Sequence, residues 1–271
     1  MFWSDKFCLF LSKLFIEVNI ETTQENGFEY VEKGEGPVVI LLHGLMGGLD
    51  NFEDLIIELP KHGYKVVGPL LPLFEKPLLK TSIKHFTKYI HDFVKYKGYE
   101  NVTLIGNSLG GHISLVFTKN HPELVKRLVL TGSSGLYENS MGDSFPRRGD
   151  YEYIKTKTEE VFYDPKMATK SLVDKVFAIA NNRESVIRLL AMAKSAIRHN
   201  MSADIPNIKI PVCLIWGKQD GVTPPHVAEE FHKLFPSSNL FWLDKCGHSP
   251  MWEHPKLFTE ILSDWLSKNS I

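Results

Sequence analysis

A serine, an aspartate and a histidine, met in that order and each following a short apolar run, can together turn an otherwise inert hydroxyl into a nucleophile. The chain contains such a series. Ser108 lies in Gly106-Asn107-Ser108-Leu109-Gly110-Gly111, Asp220 in Trp216-Gly217-Lys218-Gln219-Asp220-Gly221-Val222-Thr223-Pro224, and His248 in Cys246-Gly247-His248-Ser249-Pro250. The chemistry would be attack by the serine oxygen, with the imidazole taking its proton and the carboxylate orienting the ring. Gly-x-Ser-x-Gly alone decides little, because three such fixed positions arise by chance in roughly one chain in ten of this length. The order of all three segments is what carries weight.

Other residues compete for each role. His112 lies one helical turn beyond Ser108, and its helix is expected to carry it away from the hydroxyl. Asp244 precedes His248 by only four residues, and a carboxylate at a strand end gives better geometry. The turn Thr131-Gly132-Ser133-Ser134 follows another apolar run and holds no acid. His43 reads as a loop-holding residue. Cys246 reads as packing.

The elements around these residues explain why they could meet. Val102 to Ile105 has the composition of a buried strand and a helical pattern begins at Leu109, so Ser108 is predicted at a sharp turn from strand to helix. The Leu109 N–H and the positive end of that helix would then face a developing oxyanion. Val38 to Leu42 predicts another buried strand running into His43-Gly44, after which Leu45 would supply a second N–H. Met46 and Met251 neighbour the proposed site, and with Trp252 they are the expected lining of an apolar substrate pocket.

Further along, strands are predicted at Phe15 to Glu21, Phe28 to Lys33, Lys65 to Gly68, Arg127 to Thr131, Val212 to Trp216 and Leu240 to Leu243. Helices are predicted after a cap at Asp50 or Asn51, over about 82–97, between the last two strands, and over about 255–268. This alternation predicts an α/β chain with a mainly parallel sheet, which binds ligands at the carboxyl ends of its strands. From about 137 to 205 the alternation stops and helical composition takes over, with starts at Asp164-Pro165 and across Ser171 to Asp174. The expected division is 1–136 for the first part of the core, 137–205 for a helical insertion and 206–271 for the second part.

With 31 basic and 32 acidic residues among 271, nothing points to nucleic acid or an anionic membrane as main partner, and a small-molecule substrate fits better. Cys8, Cys213 and Cys246 are odd in number and widely spaced, which suggests neither a disulfide framework nor a zinc ribbon and fits a reducing cytoplasm. The apolar stretch from Met1 to Phe15 is interrupted by Asp5, Lys6 and Lys13 and is too short to span a bilayer, so it is not read as a signal or an anchor. Oligomeric state has no readable signature.

Four segments in order, His43-Gly44, Gly106 to Gly111, Trp216 to Asp220 with Pro224, and Gly247 to Pro250 through Glu253 and Pro255, make the chain resemble the α/β-hydrolase fold superfamily. That group includes esterases, epoxide hydrolases, dehalogenases and carbon-carbon bond hydrolases, and the resemblance covers nearly the whole length. It implies an eight-stranded, mainly parallel sheet with helices on both faces, a helical cap over the site, and an acyl-enzyme mechanism without metal or cofactor. A serine at the turn argues against dehalogenase or epoxide hydrolase action, because those relatives use a carboxylate there. Ester hydrolysis is expected first. Hydrolysis of vinylogous diketone ring-fission products is the alternative, weakened by Ser249 where those enzymes carry an aromatic residue and by Lys175 near their cap arginine. A binding protein without catalysis is the third reading. The loop Leu70-Leu71-Pro72-Leu73-Phe74 departs from the superfamily's usual Asp-x-Pro-Gly.

Overall fold

The computed structural model describes residues 20–75, 77–137 and 147–269. Its strands are β1 (Thr23–Glu25), β2 (Phe28–Lys33), β3 (Val38–Leu42), β4 (Lys65–Pro69), β5 (Val102–Asn107), β6 (Val125–Thr131), β7 (Val212–Gly217) and β8 (Ser238–Leu243). They form one eight-stranded sheet in the order β1-β2-β4-β3-β5-β6-β7-β8. The β1/β2 and β2/β4 pairs are antiparallel and every later pair is parallel. The carboxyl ends of β3, β5, β6, β7 and β8 therefore lie side by side along one edge.

Strict alternation within the strands explains the layering. Ile40, Leu42, Leu104, Leu128, Leu130, Leu214 and Trp216 face a core shared with the helices Ile83–Lys97, Leu109–Asn120 and Pro225–Leu234. Val39, Leu41, Ile105, Val129, Cys213 and Ile215 face the other side, against the helices Glu53–Glu58 and Pro255–Lys268. A strand buried on both faces reads as an unbroken apolar run, which is the pattern these segments show. Each such side chain contributes about 1.5–3 kcal/mol by leaving water, so the strands hold their carboxyl-terminal loops on a stiff frame.

Between β6 and β7 the described chain is helical: Tyr151–Glu159, Lys170–Asn181 and Arg183–Ile197. Ile154, Val176 and Ala180 make a small core of their own, against which Met46 packs from the loop after β3. Among the described residues no helix is long and apolar enough to cross a membrane.

Some local expectations are corrected. The strand expected over Phe15 to Glu21 falls mostly outside the described residues, and the part within them, Ile20 and Glu21, is not strand. The first strand is instead half of a hairpin turning at Asn26-Gly27, both with positive φ (49° and 78°), the turn chemistry that favours a tight two-residue hairpin. Neither Asp50 nor Asn51 caps the helix after β3; the Asn51 side chain accepts from the Gly48 N–H at 2.8 Å and closes a short turn first. The helix Lys170–Asn181 starts one residue before the expected range, with Thr169 Oγ1 accepting from the Leu172 N–H.

Candidate active site

Ser108 sits where β5 gives way to the helix Leu109–Asn120, at φ 53° and ψ −119°. A side chain at those angles is strained and persists only where its surroundings fix it. Here the backbone fixes it twice: the Ser108 N–H donates to Thr131 O at 3.2 Å, and the Ser108 carbonyl accepts from the Ser134 N–H at 3.2 Å. Close approach of the helix to β3 imposes a further demand. A Cβ on Gly110 would stand 2.0 Å from the Leu42 carbonyl oxygen, which only glycine tolerates.

Asp220 and His248 are both buried, and the His248 Nδ1 donates to Asp220 Oδ2 at 3.0 Å. The carboxylate also accepts from the Val222 N–H at 2.8 Å, the Thr223 N–H at 2.9 Å and the Thr223 hydroxyl at 2.8 Å. So many donors lock the carboxylate's orientation, which in turn fixes which ring nitrogen carries the proton. Asp244 is turned away, accepting from the Gln219 side chain at 3.1 Å. Gly132 explains why an acid after β6 would not serve: a Cβ there would lie 2.8 Å from His248 Nδ1, so the ring occupies the space a side chain would need.

The residue before Ser108 joins the two loops. Asn107 Nδ2 donates to the His248 carbonyl at 3.1 Å and to Thr131 O at 3.0 Å. Ser108 and His248 are thus on neighbouring loops of one edge, yet their side chains are not hydrogen-bonded to each other in this conformation. Such contacts are commonly long without substrate.

His43 is buried and donates from Nδ1 to Gly44 O at 2.9 Å while Nε2 accepts from the Leu71 N–H at 3.0 Å. Both nitrogens are satisfied in the neutral ring, and burial holds its pKa down to about 4. It ties the loop after β3 to the loop after β4. The N–H groups of Leu45 and Leu109 donate to no described residue, which leaves both available to an incoming oxygen. His112 points into the protein, with Nε2 3.2 Å from His199 Nδ1.

The predicted pocket residues fare differently. Met46 is half-buried against the helical segment. Trp252 is half-buried, edge-on to Phe162 at 5.4 Å between centroids. Met251 is only 1% exposed and packs among Leu243, Cys246 and Phe258 on the second face of the sheet, so it has almost no surface to offer a ligand. Cys8 lies outside the described residues. Lys175 stands 3.7 Å from Asp50, over the loop after β3. Burial pushes the Cys246 thiol pKa up.

Two further residues hold these groups in place. Thr223 supports Asp220, and Glu253 accepts from the backbone of the histidine loop, Gly247 N–H at 2.9 Å and Ser249 N–H at 3.2 Å. A carboxylate one short helix beyond the histidine was the available hint.

With this geometry in place, comparison with known proteins fixes the class. The sequence model of the α/β hydrolase fold family matches residues 37–197 and 195–255, and the chain belongs to that family. An α/β hydrolase enzyme from the sediment metagenome of the Mar Chica lagoon is 47% identical, covering 93% of this chain and 100% of its own at a TM-score of 0.78. The 2-hydroxy-6-oxo-6-(2'-aminophenyl)hexa-2,4-dienoic acid hydrolase of Metapseudomonas resinovorans is 28% identical over 89% of this chain and 88% of its own. Lipase 1 of Psychrobacter immobilis is 27% identical over 83% and 75% respectively.

Proposed function

We propose that the chain is a serine hydrolase of small or medium acyl esters, acting through an acyl-enzyme intermediate in the manner of a carboxylesterase. The observation that carries the reading is the buried Asp220 carboxylate gripping His248 Nδ1 at 3.0 Å, on the sheet edge where Ser108 is held in a strained turn. His248 Nε2 takes the Ser108 proton as the oxygen attacks the ester carbonyl. The N–H groups of Leu45 and Leu109 receive the oxyanion of the tetrahedral intermediate. Its collapse expels the alcohol, protonated by His248, and leaves the acyl group on Ser108. Water, deprotonated by the same ring, then releases the acid. The segment 137–205 acts as a cap between core parts 1–136 and 206–271, with Met46 and Trp252 beside the substrate. The odd cysteine count suits a cytoplasmic enzyme.

The second reading, carbon-carbon bond hydrolysis, is favoured by the relative named for hydrolysing a 2-hydroxy-6-oxo-dienoic acid. A cation in the cap would suit such an acid's carboxylate, and Lys175 is a candidate, though its ammonium faces Asp50. Steady-state kcat/KM for p-nitrophenyl butyrate, set against that for a dienol ring-fission product, separates the two. The ester is expected to win. A preference for the dienol of more than about a hundredfold, some 2.7 kcal/mol in transition-state binding, reverses the order.

A further inference from the structure

We propose that Glu253 is a positioning residue through which the helical segment between β6 and β7 sets the placement of the base. This rests on reading His248 as that base. The three consecutive N–H groups around the imidazole all leave the loop for other parts of the chain. Gly247 donates to both Glu253 oxygens, at 2.9 and 3.0 Å, and Ser249 to Glu253 Oε1 at 3.2 Å. His248 itself donates to Val161 O at 2.9 Å. Val161 follows the helix Tyr151–Glu159, and two residues on the Tyr163 N–H donates back to Glu253 Oε2 at 2.8 Å.

One carboxylate therefore holds the histidine loop from both sides of the ring with one oxygen and the segment 161–163 with the other. The arrangement is closed. Any displacement of 161–163 pulls on the His248 N–H directly and on its two neighbours through Glu253, whereas the ring's far side is fixed by Asp220 and its carbonyl by Asn107. The His248 ring and the Ser108 hydroxyl, unbonded in this conformation, are brought together or held apart by where that segment sits. A substrate that packs under the helical segment thereby completes the catalytic pair as it binds.

Glu253→Gln keeps the shape and lets the amide oxygen serve Gly247 and Ser249 while its NH₂ faces the Tyr163 N–H, which breaks the tie to the segment. Tyr163→Pro deletes the same bond from the other end by removing the donor. In the full-length protein, each is expected to lower kcat on p-nitrophenyl butyrate about tenfold with KM within about twofold, and the double variant to be no slower than either single. The low-field proton signal of the His248 ring, assigned by its loss in His248→Ala, should shift in Glu253→Gln. Unchanged kcat and an unmoved ring signal in Glu253→Gln, or losses that add in full in the double variant, overturn the proposal. The ring signal reports on positioning even if wild-type turnover proves independent of Ser108, an outcome that would remove the hydrolase reading instead.

Discussion

At the scale of single residues, the site depends on one carboxylate having no freedom. Asp220 is 3% exposed and accepts from two backbone N–H groups, the Thr223 hydroxyl and His248. Asp220→Asn places an NH₂ among those donors and destroys the ring's tautomer control, so kcat on p-nitrophenyl butyrate is expected to fall on the order of 10³-fold. Thr223→Val removes one hydrogen bond of about 1.5–3 kcal/mol to a charged group and should cost about tenfold or more. The Thr223 hydroxyl also lies 3.3 Å from His248 Nδ1; kinetics on folded protein check both variants, and a Thr223→Val loss as large as that of Asp220→Asn would mean the hydroxyl serves the ring more than the acid. Ser108, Asp220 and His248 stand out as candidates because each lies in a turn a few residues after an apolar run. The bonds of Asn107 to His248 and of Glu253 to Tyr163 have no such signal, because each joins residues far apart in sequence.

At the scale of elements, the sheet was legible and the ends of elements less so. Runs such as Val38 to Leu42 and Val212 to Gly217 announce strands covered on both faces, and the observed spans follow them. Asn26-Gly27 spells the turn of the hairpin at the amino-terminal edge, but the apolar run Phe15 to Glu21 just before it gives the stronger strand signal. Caps were misplaced where competing acceptors crowd one turn, as at Asp50 and Asn51. Helix Leu109–Asn120 packs closely against the end of β3. Gly110→Ala would drive a methyl into the Leu42 carbonyl at 2.0 Å, and a loss of about 3 kcal/mol or more is expected from the forced backbone shift. Urea denaturation measures it; a variant within 0.5 kcal/mol of wild type, on the order of a neutral surface change, would show that the helix can give way.

At the scale of the whole molecule, buried neutral histidines should make stability depend on pH above the carboxylate range. Burial lowers the His43 pKa to about 4 and that of His112 to about 3, the latter also repelled by His199. Unfolded histidines titrate near pH 6.5, so below that the unfolded chain binds protons the folded chain refuses, and stability falls as pH drops toward 4. His43 alone accounts for about 3 kcal/mol of that loss. Tm should be flat above pH 7 and decline between pH 6.5 and 5; a flat profile down to pH 5 would contradict it. For Glu32, burial opposes its charge, but Lys97, Lys65 and Tyr99 outweigh it and lower its pKa to about 2, so its contribution is lost only in stronger acid.

Whether Ser108 is the activated nucleophile is tested most directly in a mass spectrum. Intact protein treated with a fluorophosphonate should gain one adduct, mapped to the peptide containing Ser108, abolished in Ser108→Ala and formed far more slowly in His248→Ala. Folded wild-type protein that gains no adduct, or an adduct that survives in Ser108→Ala, would contradict the claim that this serine is the activated nucleophile.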